Sequence, residues 1–228
     1  MKSLIIIPAY NEQENIRKVI AEVQKLSPDF DYIIINDCSK DDTKKICETE
    51  NYRVLNLPVN LGIGGAVQTG YKYALENGYD YAVQIDGDGQ HDPSYLSGML
   101  ENIRKTNADM IIGSRFIEKE GFQSSGIRRL GIKYFTKLIR LLTGAVITDP
   151  TSGLRLVNRS CIELFSVYYP KDYPEPESIV MLLKKKKKIC EMPVIMRERT
   201  GGVSSISPFK SIYYMIKVSI AILMEKIR

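Results

Sequence analysis

Apolar residues in the first half of this chain fall into short unbroken runs, separated by stretches in which they recur every three or four positions. The first run, Ser3-Leu4-Ile5-Ile6-Ile7, reads as a buried central strand that breaks at Pro8. Behind it, Ile16, Val19, Ile20, Val23 and Leu26 keep the i, i+3, i+4 spacing of an amphipathic helix. The alternation then repeats. Tyr32-Ile33-Ile34-Ile35 predicts a second strand, and Asp41-Asp42-Thr43 opens the next helix. Residues 53–57 predict a shorter third strand, followed by a helix from Asn60-Leu61-Gly62 towards Glu76. Tyr81-Ala82-Val83-Gln84-Ile85, a helix from Pro93 and a strand at Met110-Ile111-Ile112 complete this half. All-apolar strands joined by helices imply an α/β fold with a mostly parallel central sheet covered by helices on both faces.

The second half is less regular. Between residues 126 and 143 a helical pattern sets Ile127, Leu130, Tyr134, Leu138 and Leu141 on one side. On that helix Arg129, Lys133, Lys137 and Arg140 fall within about 80° of one another, a basic stripe or an ordinary solvated face. Asp149-Pro150-Thr151-Ser152-Gly153-Leu154-Arg155 reads as a turn leading into a strand. A further helix begins near Pro176 and Glu177 and runs to Leu183, ahead of five consecutive lysines, 184–188. Ser207 and Pro208 open a last helix over 212–224, apolar on nearly all sides but interrupted by Lys217. It is too short and too charged to span a bilayer; it suits a membrane interface, a core position or a homo-oligomer contact.

Polar clusters sit where strands end, at residues 8–12, 36–39, 86–90 and 113–115. In an open α/β sheet, ligands bind beyond the carboxyl ends of the strands, so four clusters on one edge define a pocket. The sharpest is Asp86-Gly87-Asp88-Gly89-Gln90. Two carboxylates around a glycine, with an amide oxygen beyond, suit a hard divalent cation that also takes water and substrate phosphates. The plainer reading is a polar turn before a helix capped by Asp92, with Pro93 at its first position. Gly62-Ile63-Gly64-Gly65 has the wrong spacing for a dinucleotide fingerprint and reads as close backbone packing at a helix start.

Composition narrows the class. With 228 residues, 44% hydrophobic and 26% charged, the chain is an ordinary globular protein. Its net charge of +5 hides a division: residues 1–114 carry −6 and residues 115–228 carry +11. That suits a metal-dependent enzyme meeting anionic surfaces; no nucleic-acid-reading motif accompanies the charge. Four widely spaced cysteines point to a reduced, cytoplasmic setting. The first apolar run is too short for a signal peptide, and no stretch of about 20 apolar residues crosses a bilayer.

Pro8-Ala9-Tyr10-Asn11-Glu12, Asn36-Asp37-Cys38-Ser39-Lys40-Asp41, Asn60-Leu61-Gly62, Asp86-Gly87-Asp88-Gly89-Gln90-His91 and Gly113-Ser114-Arg115 resemble, in order and spacing, the family 2 glycosyltransferases. The chain looks most like the branch of dolichol-phosphate mannose synthases and polyprenyl-phosphate sugar transferases, over roughly residues 3–206. The resemblance implies a GT-A domain over 1–206, with a nucleotide-binding half (1–115), an acceptor half (116–206) and a C-terminal helix over 207–228. It implies a UDP-, GDP- or dTDP-linked sugar donor and a Mg²⁺ or Mn²⁺ cofactor. Pro8, Ala9, Tyr10 and Glu12 resemble residues lining the nucleoside pocket, Asp37 the aspartate meeting the base, and Asp86 with Gly87 the ribose side. Asp88 and Gln90 are similar to the metal ligands, while Arg115 and Arg199 match positions near the diphosphate. Glu177 stands where relatives carry an acceptor-side general base. Asp37 is expected to serve the base and to be dispensable for the fold. Ile63 and Ser205 depart from the pattern, standing where relatives have Lys. The implied reaction is inverting sugar transfer to a polyprenyl phosphate or lipid-linked glycan at the inner face of the membrane. An anionic surface or a small membrane protein would hold the enzyme there. The rival readings are a sugar nucleotidyltransferase, which would need a glycine-rich basic loop after the first strand, and an inactive nucleotide-sugar-binding subunit.

Overall fold

Every residue from Ser3 to Ala9 is buried, so the first strand lies at the centre of the molecule, as its unbroken apolar run requires. The computed structural model describes residues 1–118, 120, 126–197 and 208–227. In chain order they form β1 (Ser3–Ala9), α1 (Ile16–Leu26), β2 (Asp31–Asn36), α2 (Thr43–Thr49), β3 (Val54–Asn56), α3 (Gly62–Glu76) and β4 (Tyr81–Gln84). A 3₁₀ turn (Pro93–Tyr95), α4 (Leu96–Thr106), β5 (Met110–Ser114), α5 (Gly126–Thr143) and β6 (Arg155–Asn158) follow. The chain continues through α6 (Arg159–Val167), α7 (Pro174–Lys184), β7 (Ile189–Pro193) and α8 (Pro208–Ile227).

The strands form a sheet in the order β3-β2-β1-β4-β6-β5-β7. All neighbours are parallel except around β6, which runs antiparallel to both β4 and β5. Successive residues of β1 point to opposite faces: Leu4 and Ile6 join one core, Ile5 and Ile7 the other. The first core is closed by α3, α5, α6, α7 and α8, the second by α1, α2 and α4. Val218 and Ile222 of α8 are wholly buried in the first core, so this helix is part of the packed fold at those positions.

The parallel register sets the polarity of the sheet. β1, β2, β4, β5 and β7 all end on one edge, and β6, being antiparallel, begins there. Residues 10–15, 37–42, 85–92, 115–118 and 149–154 therefore share that edge with the start of α7. The opposite edge holds the ends of α4 and α7 and the lysine run. There Lys187 Nζ pairs with Asp109 at 3.3 Å, and Lys188 Nζ donates to Thr106 O at 2.6 Å.

Candidate active site

The loops after β1 and β2 are stitched together by reciprocal hydrogen bonds. Asn11 N–H donates to Ser39 Oγ at 3.0 Å, and Lys40 N–H donates back to Asn11 Oδ1 at 2.8 Å. Glu12 N–H meets Thr43 Oγ1 at 2.9 Å, and Asp41 accepts from Gln13 N–H at 3.1 Å. Asn11 and Cys38 both take left-handed backbone conformations (φ 57°), uncommon for residues with a side chain. Pro8 and Ala9 are buried in β1, and Tyr10, 42% exposed, is the first side chain of this loop to reach the surface.

Asp37 sits beneath the start of α3. Its Oδ1 accepts the Leu61 N–H at 2.7 Å and its Oδ2 the Gly62 N–H at 2.9 Å. The residue is 3% exposed. It therefore satisfies amide groups that a helix start leaves without intrahelical partners. These two bonds give Asp37 a structural role beside the base-binding one the resemblance implies. The glycine run after it packs closely, as its sequence suggested: a Cβ on Gly64 would lie 2.1 Å from Pro170 O.

The 85–92 loop lies directly against the first loop. A Cβ on Gly87 would sit 3.1 Å from Pro8 O and 3.4 Å from the Glu12 side chain, so the two loops lie in close contact that any larger residue would crowd. Asp88, 8% exposed, accepts the Gln90 N–H at 3.1 Å. Asp86 takes the Gln84 Nε2–H at 2.8 Å, and its own N–H donates to His91 Nδ1 at 3.0 Å. The accepting Nδ1 places the imidazole proton of neutral His91 on Nε2, which lies 3.8 Å from Asp86 Oδ2. The Oε1 of Gln84 is buried without a partner among the described residues, a polar atom left over beside Asp86. The cap reading of Asp92 holds too: its carboxylate accepts the Ser94 N–H, with Pro93 at the first position.

Two arginines organise the 113–155 side of this edge. Arg115 forms a two-pronged pair with the fully buried Asp149, Nε and Nη2 each 2.7 Å from a carboxylate oxygen, and reaches Thr151 Oγ1 at 3.0 Å. Glu191 of β7 holds the same turn from the other side, accepting from Thr148 N–H and Asp149 N–H at 2.8 and 2.9 Å. Arg155 is 1% exposed and spends its guanidinium on Ser152 O, Pro150 O, Glu175 O and Ser178 Oγ, at 2.7 to 3.0 Å. It ties the 149–153 turn to the start of α7. In that turn, a Cβ on Gly153 would lie 3.0 Å from Asp86 Oδ2.

That geometry brings Glu175 towards Asp86. Burial pushes the Glu175 carboxyl above its ordinary range; the Arg155 charge opposes the shift and Asp86 adds to it. Glu177 lies in the first turn of the same helix and accepts from Tyr168 Oη at 3.4 Å. Arg197 bridges Glu22 at 2.6 Å and Asp92 at 2.7 Å, beside Gln90. Arg199 lies outside the described residues, as does Ser205.

The donor set can be tested against a cation. Asp88 and Gln90 offer hard oxygen ligands in a loop that glycine lets press against its neighbour, which fits Mg²⁺ or Mn²⁺. Among the described residues no three His, Cys, Asp or Glu side chains gather round one point, so the remaining ligands would be water and the phosphates of a substrate.

The sequence profile of glycosyl transferase family 2 matches residues 4–165, well over half the chain. The chain belongs to the family 2 glycosyltransferases. It is 31% identical over 213 residues to a UDP-N-acetylglucosamine–dolichyl-phosphate N-acetylglucosaminyltransferase of Methanococcus voltae, covering 83% of each chain. It is 30% identical over 216 residues to an undecaprenyl-phosphate mannosyltransferase of Micrococcus luteus, covering 91% of this chain and 88% of that one. Among solved structures, glucosyl-3-phosphoglycerate synthase of Mycobacterium tuberculosis, bound to Mn²⁺ and UDP, matches with a TM-score of 0.74 at 18% identity. That match covers 99% of this chain and 79% of the other, and establishes the GT-A fold.

Membership of this glycosyltransferase family sets aside the nucleotidyltransferase reading. Three residues that shape this edge of the sheet were not singled out from sequence: Arg155, Glu175 and Glu191. Arg155 was legible only as the end of a motif, because a buried arginine bonded to carbonyls leaves no acidic partner to find. Glu175 lies two positions before the carboxylate that sequence favoured; Pro174 at the helix start, rather than Pro176, shifts which glutamate falls in the second position.

Proposed function

We propose that this glycosyltransferase transfers a sugar from a nucleoside-diphosphate donor to a polyprenyl phosphate, with inversion and with a divalent cation. The carrying observation is the packing of the Asp86-Gly87-Asp88 turn against the 8–12 loop, in a chain whose relatives are named for dolichyl- and undecaprenyl-phosphate acceptors. In this reading Tyr10, Glu12 and the 36–42 loop receive the nucleoside, and Asp86 the ribose side. Asp88 and Gln90 hold Mg²⁺ or Mn²⁺, which supplies positive charge to the departing diphosphate. Arg115, its charge already met by Asp149, acts on the diphosphate by fixing the 149–153 turn rather than as an open cation. Arg199 would add a charge from the late loop.

A phosphate acceptor is already anionic and needs no proton removed, so attack requires only alignment opposite the leaving group. A general base, for which sequence offered Glu177, is needed only for a hydroxyl acceptor. The apolar residues Leu130 and Tyr134 of α5 and Ile216, Ile220 and Met224 of α8 are exposed, next to the basic Arg129, Lys133, Lys137 and Arg140. No helix among the described residues is long and apolar enough to cross a membrane. This face would instead hold the enzyme peripherally on anionic lipid at the cytoplasmic side, within reach of a lipid-borne acceptor.

The test is transfer itself. The protein is incubated with UDP-, GDP- and dTDP-sugars, Mn²⁺ and a short polyprenyl phosphate in detergent, and the lipid phase is analysed by mass spectrometry. A polyprenyl-phosphate sugar of opposite anomeric configuration to the donor is expected. Sugar moved only to water or to a soluble glycan would refute the acceptor assignment.

A further inference from the structure

Arg197 makes contacts in two directions. Its guanidinium meets Glu22 of α1 at 2.6 Å and Asp92 at 2.7 Å. Its main chain is engaged as well: the Arg197 N–H donates to Gln90 O at 3.0 Å, and Gln90 Nε2 donates to Arg197 O at 3.3 Å. A carbonyl oxygen can only accept, so the carboxamide of Gln90 must show its nitrogen to Arg197 and turn its oxygen elsewhere. Among the described residues nothing donates to that Oε1. The Gln90 N–H is meanwhile fixed on Asp88 Oδ1 at 3.1 Å.

Without the Arg197 carbonyl, the terminal torsion of Gln90 has two broad wells that exchange oxygen for nitrogen. A hard divalent cation accepts the oxygen and is repelled by the NH₂ group. Two ion pairs to separate elements are more than is needed to hold a surface arginine, and both are partly open to water, which screens their contribution to stability. Their geometric consequence is larger, because they fix the main chain that faces Gln90.

We propose that Arg197 is a positioning residue for the cation site, orienting the Gln90 carboxamide so that oxygen rather than nitrogen is presented to the metal. This rests on the reading that Asp88 and Gln90 are the metal ligands. Outer partners of metal ligands typically change affinity by about 10–100-fold.

The full-length protein is titrated with Mn²⁺ and free Mn²⁺ is followed by electron paramagnetic resonance, with UDP present and with GDP in parallel. The variants are Asp88→Asn, Gln90→Ala, Arg197→Ala, Glu22→Gln and the double variant Gln90→Ala/Arg197→Ala. Gln90→Ala and Arg197→Ala should each weaken Mn²⁺ about tenfold, and the double variant should be no weaker than Gln90→Ala alone. Nucleotide affinity in EDTA should be unchanged. Glu22→Gln removes one ion pair from an α1 side chain and should weaken Mn²⁺ in the same direction, which covers the case in which Arg197→Ala fails to fold. If Asp88→Asn and Gln90→Ala bind Mn²⁺ normally, the site reading fails and the inference with it. If Gln90→Ala weakens Mn²⁺ while Arg197→Ala and Glu22→Gln do not, or if the two losses multiply in the double variant, the site stands and the positioning role is refuted.

Discussion

Replacing Asp37 by alanine should unsettle the fold before any nucleotide is added. The carboxylate holds two backbone amides, Leu61 N–H at 2.7 Å and Gly62 N–H at 2.9 Å, at the positive end of α3. A hydrogen bond to a charged group contributes about 1.5–3 kcal/mol, and a lost N-cap about 0.5–2 kcal/mol. Both figures describe one interaction, so they are not added, and about 3 kcal/mol is a fair value for a buried carboxylate with two donors. In a chain of this size each kcal/mol moves the melting temperature by about 2–4 °C, giving a fall of roughly 6–12 °C for Asp37→Ala. Asp37→Asn keeps one acceptor but sets an NH₂ group against the second amide, so it should lose nearly as much. Circular dichroism melts of the apo protein in EDTA measure this directly. One compensating acceptor exists, since Asn60 Oδ1 already lies 3.2 Å from the Gly62 nitrogen. If both variants melt within about 2 °C of the parent, that acceptor suffices, and Asp37 is reserved for the ligand as the sequence alone suggested.

Asp88→Asn should weaken nucleoside-diphosphate binding in Mn²⁺ by tenfold or more, on the order seen for perturbed metal sites, and much less in EDTA; equal losses in both buffers, read by calorimetry, would mark Asp88 as a structural residue. Glu175 supplies a pH test: its carboxyl is held above the ordinary range, so the folded protein keeps a proton there that the unfolded chain releases. Stability should therefore fall as pH rises from the ordinary carboxylate range to the raised one, and Glu175→Gln should flatten that part of the melting-temperature profile and stabilise the protein at neutral pH. A parent-like slope in the variant would show that the group is not buried in its charged form. Finally, Ile216→Ser with Ile220→Ser should reduce co-sedimentation with phosphatidylglycerol-containing vesicles at low salt while leaving nucleotide affinity intact; binding that ignores both salt and these substitutions refutes the lipid-facing assignment.

Much of this architecture is legible because the first half of the chain uses buried parallel strands, whose apolar runs and polar ends are local signals. Ser3-Leu4-Ile5-Ile6-Ile7 could hardly be anything but a central strand. The second half is written in longer-range terms. β6 is only four residues long and contains Arg155, whose burial depends on carbonyls from the 149–153 turn and α7. β7 lies at the sheet edge, half buried, with Glu191 in its middle, so no apolar alternation announces it. α5 was bounded correctly from its spacing, whereas the helix expected from Pro176 begins at Pro174. Asp37 shows a different limit: its motif identifies the residue, but only the α3 contacts reveal what its oxygens hold.

Charge gives the last instance of that limit, and it bears on how the enzyme would meet a membrane. The basic second half suits anionic surfaces, yet its lysine run belongs to the sheet edge opposite the Asp86-Gly87-Asp88 turn. There Lys187 is held by Asp109 and Ser160, and Lys188 by Thr106 O. Lipid bound at that edge would hold the donor site away from its acceptor. The α5–α8 face is better placed. Lys217 of α8 pairs with Asp172 at 2.7 Å and stacks 5.6 Å from the Tyr173 ring, next to the start of α7 and hence to Glu175. Lys217 thus ties the middle of α8 to the site edge, and α8 also carries the exposed Ile216 and Ile220. Deleting α8 would be a poor test of this arrangement, because Val218 and Ile222 are buried in the core and their loss would disturb α7 as well. Substitutions confined to Ile216 and Ile220 leave that core intact, so a change in vesicle binding reports on the outer face alone.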